Sequence, residues 1–151
     1  MAIWINRASV IFIGLLSLTL KKLSQMPSAS QINTLNDLLA KHQRVVIVTH
    51  HNPDGDAMGS SLGLYQVLSK LGKQVSVILP SEAPSYLMWM PNADKTIDFS
   101  KNQATAKQLF DACHLVVILD FNTNKRVKEM EPLLANCGAD KVMIDHHPFP
   151  D

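Results

Sequence analysis

Runs of apolar residues alternate with amphipathic segments along most of this chain. Near-continuous Val, Ile and Leu predict buried strands, and the candidates are Val45–Thr49, Val75–Leu79, Leu115–Leu119, Val142–Ile144 and, more weakly, Thr96–Phe99. Strands that are apolar on both faces are typical of a parallel sheet with helices on both sides. The pattern therefore predicts an α/β fold with a parallel sheet covered on both faces.

Apolar residues at helical spacing lie between these strands. The predicted helices are 31–41, Ala57–Leu71, Pro84–Met90, Ala104–Ala112 and Val127–Ala135. The regular alternation of strands and helices, without internal repeats, predicts one α/β domain, which we assign to residues 31–151.

Residues 1–30 are set apart as an N-terminal extension with a short apolar segment, Ala8–Leu20. This segment is shorter than the roughly 20 residues that span a bilayer. Its length matches a secretory signal, but Lys21 and Lys22 stand where a cleavage site should begin. A natural start at Met26 is a third interpretation. We expect a cytoplasmic protein without stable membrane association.

Composition carries little functional signal. The formal net charge of +1 gives no electrostatic footprint for nucleic acid, although a local basic groove would not show in that total. Cys113 and Cys137 have no metal-site or disulfide-framework spacing, which predicts two buried small hydrophobes. Met88, Trp89 and Met90 are predicted to fill the core rather than to form a base-stacking platform.

Side chains of the kinds that bind metals follow three of the predicted strands. They are His50, Asp54 and Asp56 in one loop, Asp120 in a second, and Asp145, His146 and His147 in a third. Parallel sheets bind ligands outside the carboxyl ends of their strands, so these side chains are expected at one sheet edge. Imidazole mixed with carboxylates suits manganese, iron or zinc better than magnesium or calcium. By contrast, the strand that ends before Ser81 offers only one remote acid, Glu82.

Taken together, these motifs resemble those of the DHH phosphoesterase superfamily. The matching segments are His50-x-x-Pro53-Asp54-x-Asp56, Asp120 and the triplet Asp145-His146-His147. The segments Pro-Asp-Gly-Asp-Ala and Leu-Asp-Phe-Asn, at 53–57 and 119–122, are most similar to the bacterial branch of oligoribonucleases that also remove phosphate from 3′-phosphoadenosine 5′-phosphate.

The resemblance implies two divalent metal ions, with Mn²⁺ preferred. Carried over by position, His50 and Asp54 hold one ion, Asp56 and His146 hold the other, and Asp120 bridges them. His147 then faces the scissile phosphate and is counted with Asp120 as catalytic, while Asp145 orients a neighbouring histidine. From the residues alone, Arg126 is a further candidate for binding the substrate phosphate.

The resemblance also sets an expectation about extent. Members of the superfamily carry a further metal-binding Asp some tens of residues after the triplet, and then a second domain that binds substrate. Asp151 follows His147 too closely to be that Asp. We therefore expect a fragment truncated on its C-terminal side, without the substrate-binding domain and with an under-coordinated second metal. The full-length form leaves room for a homodimer.

The leading functional hypothesis is a manganese-dependent phosphoesterase that hydrolyses short RNA oligonucleotides or nucleotides. An inorganic pyrophosphatase or exopolyphosphatase on the same fold is the nearest alternative. A catalytically inactive metal- or nucleotide-binding module is another. A membrane-tethered cyclic-dinucleotide phosphodiesterase stays open on the strength of Ala8–Leu20 alone.

Overall fold

A single six-stranded sheet organises the computed structural model, which describes residues 2–5 and 27–147. Its strand order is β1-β6-β5-β2-β3-β4, and five strands run parallel while β1 is antiparallel to β6. The strands are β1 (Ala2–Ile5), β2 (Arg44–Val48), β3 (Gln74–Leu79), β4 (Ile97–Asp98), β5 (Leu115–Leu119) and β6 (Asp140–Asp145). The α-helices are α1 (Ala29–Lys41), α2 (Gly55–Lys70), α3 (Gln103–Ala112) and α4 (Glu131–Asn136).

The sheet separates two apolar cores, because successive side chains of a strand point to opposite faces. Val45 and Ile47 of β2 belong to one core, which includes Met58 and Leu62 of α2 and packs against α1. Val46 and Val48 belong to the other core, which is completed by α3 and α4. Both faces of the sheet are therefore covered by helices, and the predicted α/β architecture is confirmed.

The segment between β3 and β4 differs from its prediction. A helix was expected over Pro84–Met90, but only a single 3₁₀ turn forms, Ser85–Leu87, followed by a second at Ala93–Lys95. Helix nucleation is costly, and a stretch of seven residues ahead of Pro91 is too short to offset that cost. β4 matches the weaker strand candidate in a shortened form.

The same segment corrects the expectation for its aromatic residue. Trp89 does not fill the core, because 74% of it is exposed, and Tyr86 and Met88 beside it are exposed as well. Leu87 and Ala93 belong to the core that includes Met58 of α2, and Met90 packs against that core, as predicted. The segment between β3 and β4 therefore presents apolar surface to solvent.

The predicted helix Val127–Ala135 is also interrupted. A 3₁₀ segment, Asn124–Met130, contains a backbone kink at Lys128 (φ 51°, ψ −125°), and α4 begins only at Glu131. Pro132 has no backbone N–H to donate to the preceding turn, so a regular helix cannot continue through this position.

The N-terminal extension contributes a strand that the sequence did not predict. The backbone of Ala2–Ile5 forms β1, with Ala2 opposite Asp145 and Ile5 opposite Val142. The apolar segment Ala8–Leu20 lies outside the described residues. Among the residues that are described, no helix combines the length and apolar character needed to cross a membrane.

Candidate metal centre

The loop that follows β2 is fixed from both sides. The N–H of Asn52, a residue with positive φ (53°), donates to Ser81 Oγ at 2.8 Å, and Ser81 Oγ donates back to Asn52 Oδ1 at 3.3 Å. The N–H of His51 donates to the carbonyl of Arg126 at 2.8 Å. Sequence reasoning missed Ser81, because the end of β3 was judged only by its acidic residues.

His50, at the start of this loop, is buried with one nitrogen available for a ligand. Its Nδ1 lies 2.9 Å from the carbonyl oxygen of His51. A carbonyl can only accept, so Nδ1 carries a proton, and in the neutral tautomer Nε2 keeps its lone pair. Nε2 has no hydrogen-bond partner, and it lies 3.9 Å from Asp54 Oδ2 and 3.8 Å from Asp120 Oδ2. A buried, unpaired imidazole nitrogen facing two carboxylates fits a cation.

Asp54 has two tasks, one for each carboxylate oxygen. Its Oδ1 caps α2 by accepting from the N–H groups of Asp56 (3.0 Å) and Ala57 (3.1 Å). These contacts, chiefly that of Ala57, lower the pKa of Asp54 below its ordinary value despite partial desolvation. Asp54 is therefore ionised at neutral pH, and its Oδ2 is directed toward His50.

Asp120 occupies the centre of the candidate site. It follows β5 directly with a positive φ of 65°, and its N–H donates to the carbonyl of Ile144 at 3.1 Å. Asp120 is 6% exposed, and burial, reinforced by the neighbouring charge of Asp56, raises its pKa. Oδ1 makes no well-aligned hydrogen bond, although His146 Nε2 lies 3.1 Å away. A conformation that most residues avoid thus holds a partly desolvated carboxylate among possible ligands.

The triplet at the end of β6 supplies the remaining groups. Asp145 is buried and accepts twice from His147, at 2.7 Å from Nδ1 and at 3.1 Å from the backbone N–H. The ring of His146 lies beside that of His147, with centroids 4.6 Å apart, and its Nε2 is 3.3 Å from Asp56 Oδ2. Asn122, which sequence reasoning noted only as part of Leu-Asp-Phe-Asn, donates to the carbonyl of His147 at 3.5 Å. Asp145 and Asn122 together hold His147 in place.

Two groups of ligand atoms share Asp120, and each could hold a metal ion. Within each group, the ligand atoms lie within 4.8 Å of one another. One group is His50, Asp54 and Asp120, and the other is Asp120, His146 and His147. Asp56 adjoins the second group through His146, and a cavity of about 150 Å³ beside it is lined by Asp56, Ser60, Asp120, Asp145 and His146, among others.

The structure thus brings together His50, Asp54, Asp56, Asp120, Asp145, His146 and His147. Arg126 differs from these residues, because only its backbone carbonyl contacts the loop after β2 while the residue is exposed. Its contact with a substrate phosphate stays a prediction.

Known proteins match the part of the chain that contains the candidate ligands. A family model described as the DHH family, N-terminal domain, matches residues 44–151. A solved structure, an exopolyphosphatase-related protein from Bacteroides fragilis, superposes with a TM-score of 0.81 at 38% identity, over 82% of this chain and 36% of that one.

Two curated relatives match this chain, and their names indicate different functions. The bifunctional oligoribonuclease and PAP phosphatase NrnA of Thermus thermophilus is 43% identical over 54 residues, which are 36% of this chain and 16% of the relative. A membrane protein–large ribosomal subunit bL9 fusion protein of onion yellows phytoplasma is 26% identical over 152 residues, 95% of this chain and 18% of the relative. The matched segments therefore cover less than a fifth of the length of either relative.

Proposed function

This chain belongs to the DHH family, and from that premise we propose that it is a cytoplasmic, metal-dependent phosphoesterase acting on short RNA oligonucleotides or nucleotides. The observation that carries the proposal is the position of Asp120, a buried carboxylate shared by two groups of ligand atoms. The unpaired Nε2 of buried His50 adds to it, because a buried nitrogen without a hydrogen-bond partner is costly and a bound metal ion would remove that cost.

In this proposal, two Mn²⁺ ions are the cofactors, and a different set of side chains would bind each ion. His50 and Asp54 would hold one ion, Asp56 and His146 would hold the other, and Asp120 would contribute to both sites. Such a pair of ions lowers the pKa of bound water and offsets the charge of the phosphoryl oxygens. Three carboxylates are needed in so small a space, since they offset the mutual repulsion of two dications.

The role of His147 follows from its hydrogen bonds. Its Nδ1 is engaged by Asp145 at 2.7 Å, so Nε2 is the atom left to meet the scissile phosphate. The Asp145 carboxylate also accepts from the backbone N–H of His147, and the Asn122 amide donates to its carbonyl, so the backbone of His147 is held as well. Asp145 is accordingly a positioning residue, and His147 is the residue in contact with substrate.

The direct test is hydrolysis of a short, end-labelled oligoribonucleotide by the 151-residue chain with Mn²⁺. Asp120→Asn is the sharpest variant, because Asn tolerates the positive φ of this position while it removes the charge. We expect a loss of about 10³-fold or more. Asp140→Asn, at the far edge of the sheet, is the matched control and should retain activity. No Mn²⁺-dependent hydrolysis by the unchanged chain would support a non-catalytic binding module instead, and equal hydrolysis by both proteins would exclude a catalytic role for Asp120.

An exposed aromatic surface supports a single-stranded substrate. Trp89 and Tyr86 lie in the segment that follows β3, and this segment contacts the metal-centre loop through Ser81 and Asn52. A nucleobase stacked on an aromatic side chain contributes about 1–3 kcal/mol. In this proposal, bases of a bound oligonucleotide stack on Trp89 and Tyr86, in the segment that Ser81 links to the metal-centre loop.

Trp89→Ala should raise KM for a short RNA by roughly tenfold, since that stacking energy is lost. KM for pyrophosphate, which has no base, should stay unchanged. Leu71→Ala is the matched control, because Leu71 is 67% exposed but follows α2 at the opposite sheet edge. If Trp89→Ala changes neither KM, the aromatic surface does not contribute to substrate binding.

Two other activities have specific support. The name of the Bacteroides fragilis structure favours a polyphosphatase, and faster release of phosphate from polyphosphate or pyrophosphate than from RNA would establish it. The phytoplasma relative, aligned over 95% of this chain and named a membrane protein, favours membrane association, as in the alternative of a membrane-tethered phosphodiesterase. Sedimentation of the intact chain with membranes, together with hydrolysis of a cyclic dinucleotide, would favour that alternative over the leading proposal.

A further inference from the structure

Two cysteines that are 24 residues apart in the sequence lie close together just before β5 and β6. We call this side of the sheet, formed by the amino ends of the parallel strands, the amino edge, and the opposite side the carboxyl edge. Cys113 follows α3 and Cys137 follows α4, and their Sγ atoms are 3.9 Å apart. Both sulfurs also lie near the carbonyl oxygen of Phe110, at 3.3 and 3.7 Å. Both residues are half-buried rather than buried, which corrects the expectation that they act only as small core hydrophobes.

Small molecules can reach this pair from solvent. Both cysteines line an open cavity of about 460 Å³, which is also bordered by His114 and Asn136. Cys137 alone lines a second cavity of about 330 Å³, on the side of Leu133. Cys137 therefore borders two cavities, whereas Cys113 borders one of them.

The two thiols differ in acidity. The hydrogen bond from Cys113 lowers the pKa of Cys137 to about 6, and the charge of Lys141 acts in the same direction while that of Asp111 opposes it. The same hydrogen bond, together with burial, raises the pKa of Cys113. Cys137 is thus the more acidic of the two thiols, and the thiolate is the nucleophilic form of cysteine.

We propose that Cys113 and Cys137 form a reversible disulfide when the protein meets a low-molecular-weight disulfide such as glutathione disulfide, with Cys137 as the attacking residue. The thiolate of Cys137 attacks one sulfur of glutathione disulfide, whose S–S bond breaks and releases one glutathione thiolate. That thiolate takes up a proton from solvent. Cys113 then loses its proton to solvent and attacks Sγ of Cys137, which releases the second glutathione. Two protein thiols are oxidised by two electrons, and one glutathione disulfide is reduced to two thiols.

The geometry suits the second step. A disulfide needs an S–S separation of about 2.05 Å, so the two sulfurs must approach by about 2 Å. The new bond would join the ends of α3 and α4 on one face of the sheet. It would form at the edge opposite the candidate metal centre, so the modification does not depend on the phosphoesterase proposal.

The first test uses the unchanged full chain. The reduced protein is incubated at pH 7 with glutathione disulfide, quenched with an alkylating agent, and measured by intact mass and peptide mapping. We expect a monomer that has lost two hydrogens, contains a Cys113–Cys137 cross-linked peptide, and recovers both thiols with a reductant. In addition, limiting alkylation of the reduced protein should label Cys137 before Cys113. Persistence of two free thiols, or a disulfide found only between two chains, would overturn the proposal.

Single variants separate the two roles. Cys113→Ser should stop at a stable mixed disulfide between Cys137 and glutathione. Cys137→Ser should react at least tenfold more slowly than Cys113→Ser, and this difference should vanish in denaturant, where both thiols are ordinary. Equal rates for the two folded variants would contradict the assignment of Cys137 as the attacking thiol.

Discussion

A His–Asp pair lies at each end of the parallel strands. The pair at the amino ends is hydrogen-bonded, and the pair at the carboxyl ends is not. At the amino edge, His42 Nε2 donates to Asp140 Oδ2 at 2.7 Å, and Lys41 adds a second contact at 3.3 Å. At the carboxyl edge, His50 Nε2 and Asp120 Oδ2 are 3.8 Å apart, and His50 Nε2 has no hydrogen-bond partner. Residue type therefore does not distinguish a structural pair from a candidate site. The presence or absence of a hydrogen-bond partner for the histidine nitrogen does.

Backbone conformation shows the same contrast. Asn52 and Asp120, which are both at the carboxyl edge, adopt positive φ values of 53° and 65°. A non-glycine residue in this region costs of order 1–3 kcal/mol and is kept where the surroundings impose it. At the amino edge, the left-handed residue between α2 and β3 is Gly72, for which this conformation is not strained. The carboxyl edge thus combines unpaired ligand atoms with backbone strain, which is typical of functional sites.

The largest expected difference between the two edges is the effect of a substitution on stabilisation by Mn²⁺. Mn²⁺ at about 100 times its Kd should stabilise the folded chain by roughly 2.7 kcal/mol, because the ion binds only the folded state. Asp54→Asn should remove most of this shift, since Asn preserves the cap of α2 but not the charge. Asp140→Asn should keep it. Thermal unfolding with Mn²⁺ and with a chelator measures both. A full shift in Asp54→Asn would exclude Asp54 as a ligand.

A smaller effect is expected when the orientation of His147 is disturbed. Asp145→Asn keeps the shape of the side chain but weakens the 2.7 Å contact with His147 Nδ1. Loss of such an orienting carboxylate should lower kcat about 10- to 100-fold. Affinity for Mn²⁺ should change little, so kcat and metal affinity must be measured on the same sample. A parallel fall in both would make Asp145 part of the metal-binding set instead.

The fold was largely predictable because parallel strands buried on both faces leave continuous apolar runs. The predicted strands at Val45–Thr49 and Val75–Leu79 agree with β2 and β3 to within one residue at each end. β1 was not predicted, since its four residues pair with a strand at the other end of the chain. The segment between β3 and β4 also escaped prediction, because it is held by tertiary contacts rather than by regular hydrogen bonding.

The grouping of the candidate ligands was predictable from topology. Side chains that follow parallel strands meet at one edge, and this rule brings His50, Asp120 and His146 together. The rule says nothing about contacts between loops, so Ser81 was missed. Nor does it apply to residues that precede strands, and the 3.9 Å approach of Cys113 and Cys137 was therefore invisible in the sequence.

The satisfied pair at the amino edge should stabilise the fold in a pH-dependent way. Burial alone would raise the pKa of Asp140, but hydrogen bonds from His42 and Lys41 outweigh burial and hold it below its ordinary 3.8. Stability from a carboxylate with a lowered pKa is present above pH 3.8 and is lost as the pH falls through the lower, folded-state value. Asp140→Asn should cost about 1–2 kcal/mol at pH 7. Denaturant unfolding at several pH values should show that this cost disappears in acid, and a cost independent of pH would contradict the ion pair.

Asp120 should show the opposite sign, with the smallest change. Burial, with the charge of Asp56, raises its pKa above 3.8, so the ionised carboxylate opposes folding when no metal is bound. That cost is absent below pH 3.8 and appears as the pH rises through the folded-state value. Asp120→Asn should therefore be slightly more stable than the unchanged chain at pH 7 in a chelator, and equal to it in acid. With Mn²⁺ the order should reverse, because the unchanged chain gains binding energy that the variant lacks. Denaturant unfolding of both proteins, with and without metal, measures this reversal. If Asp120→Asn is less stable at pH 7 without metal, Asp120 is a structural residue like Asp140, and the contrast between the two edges fails.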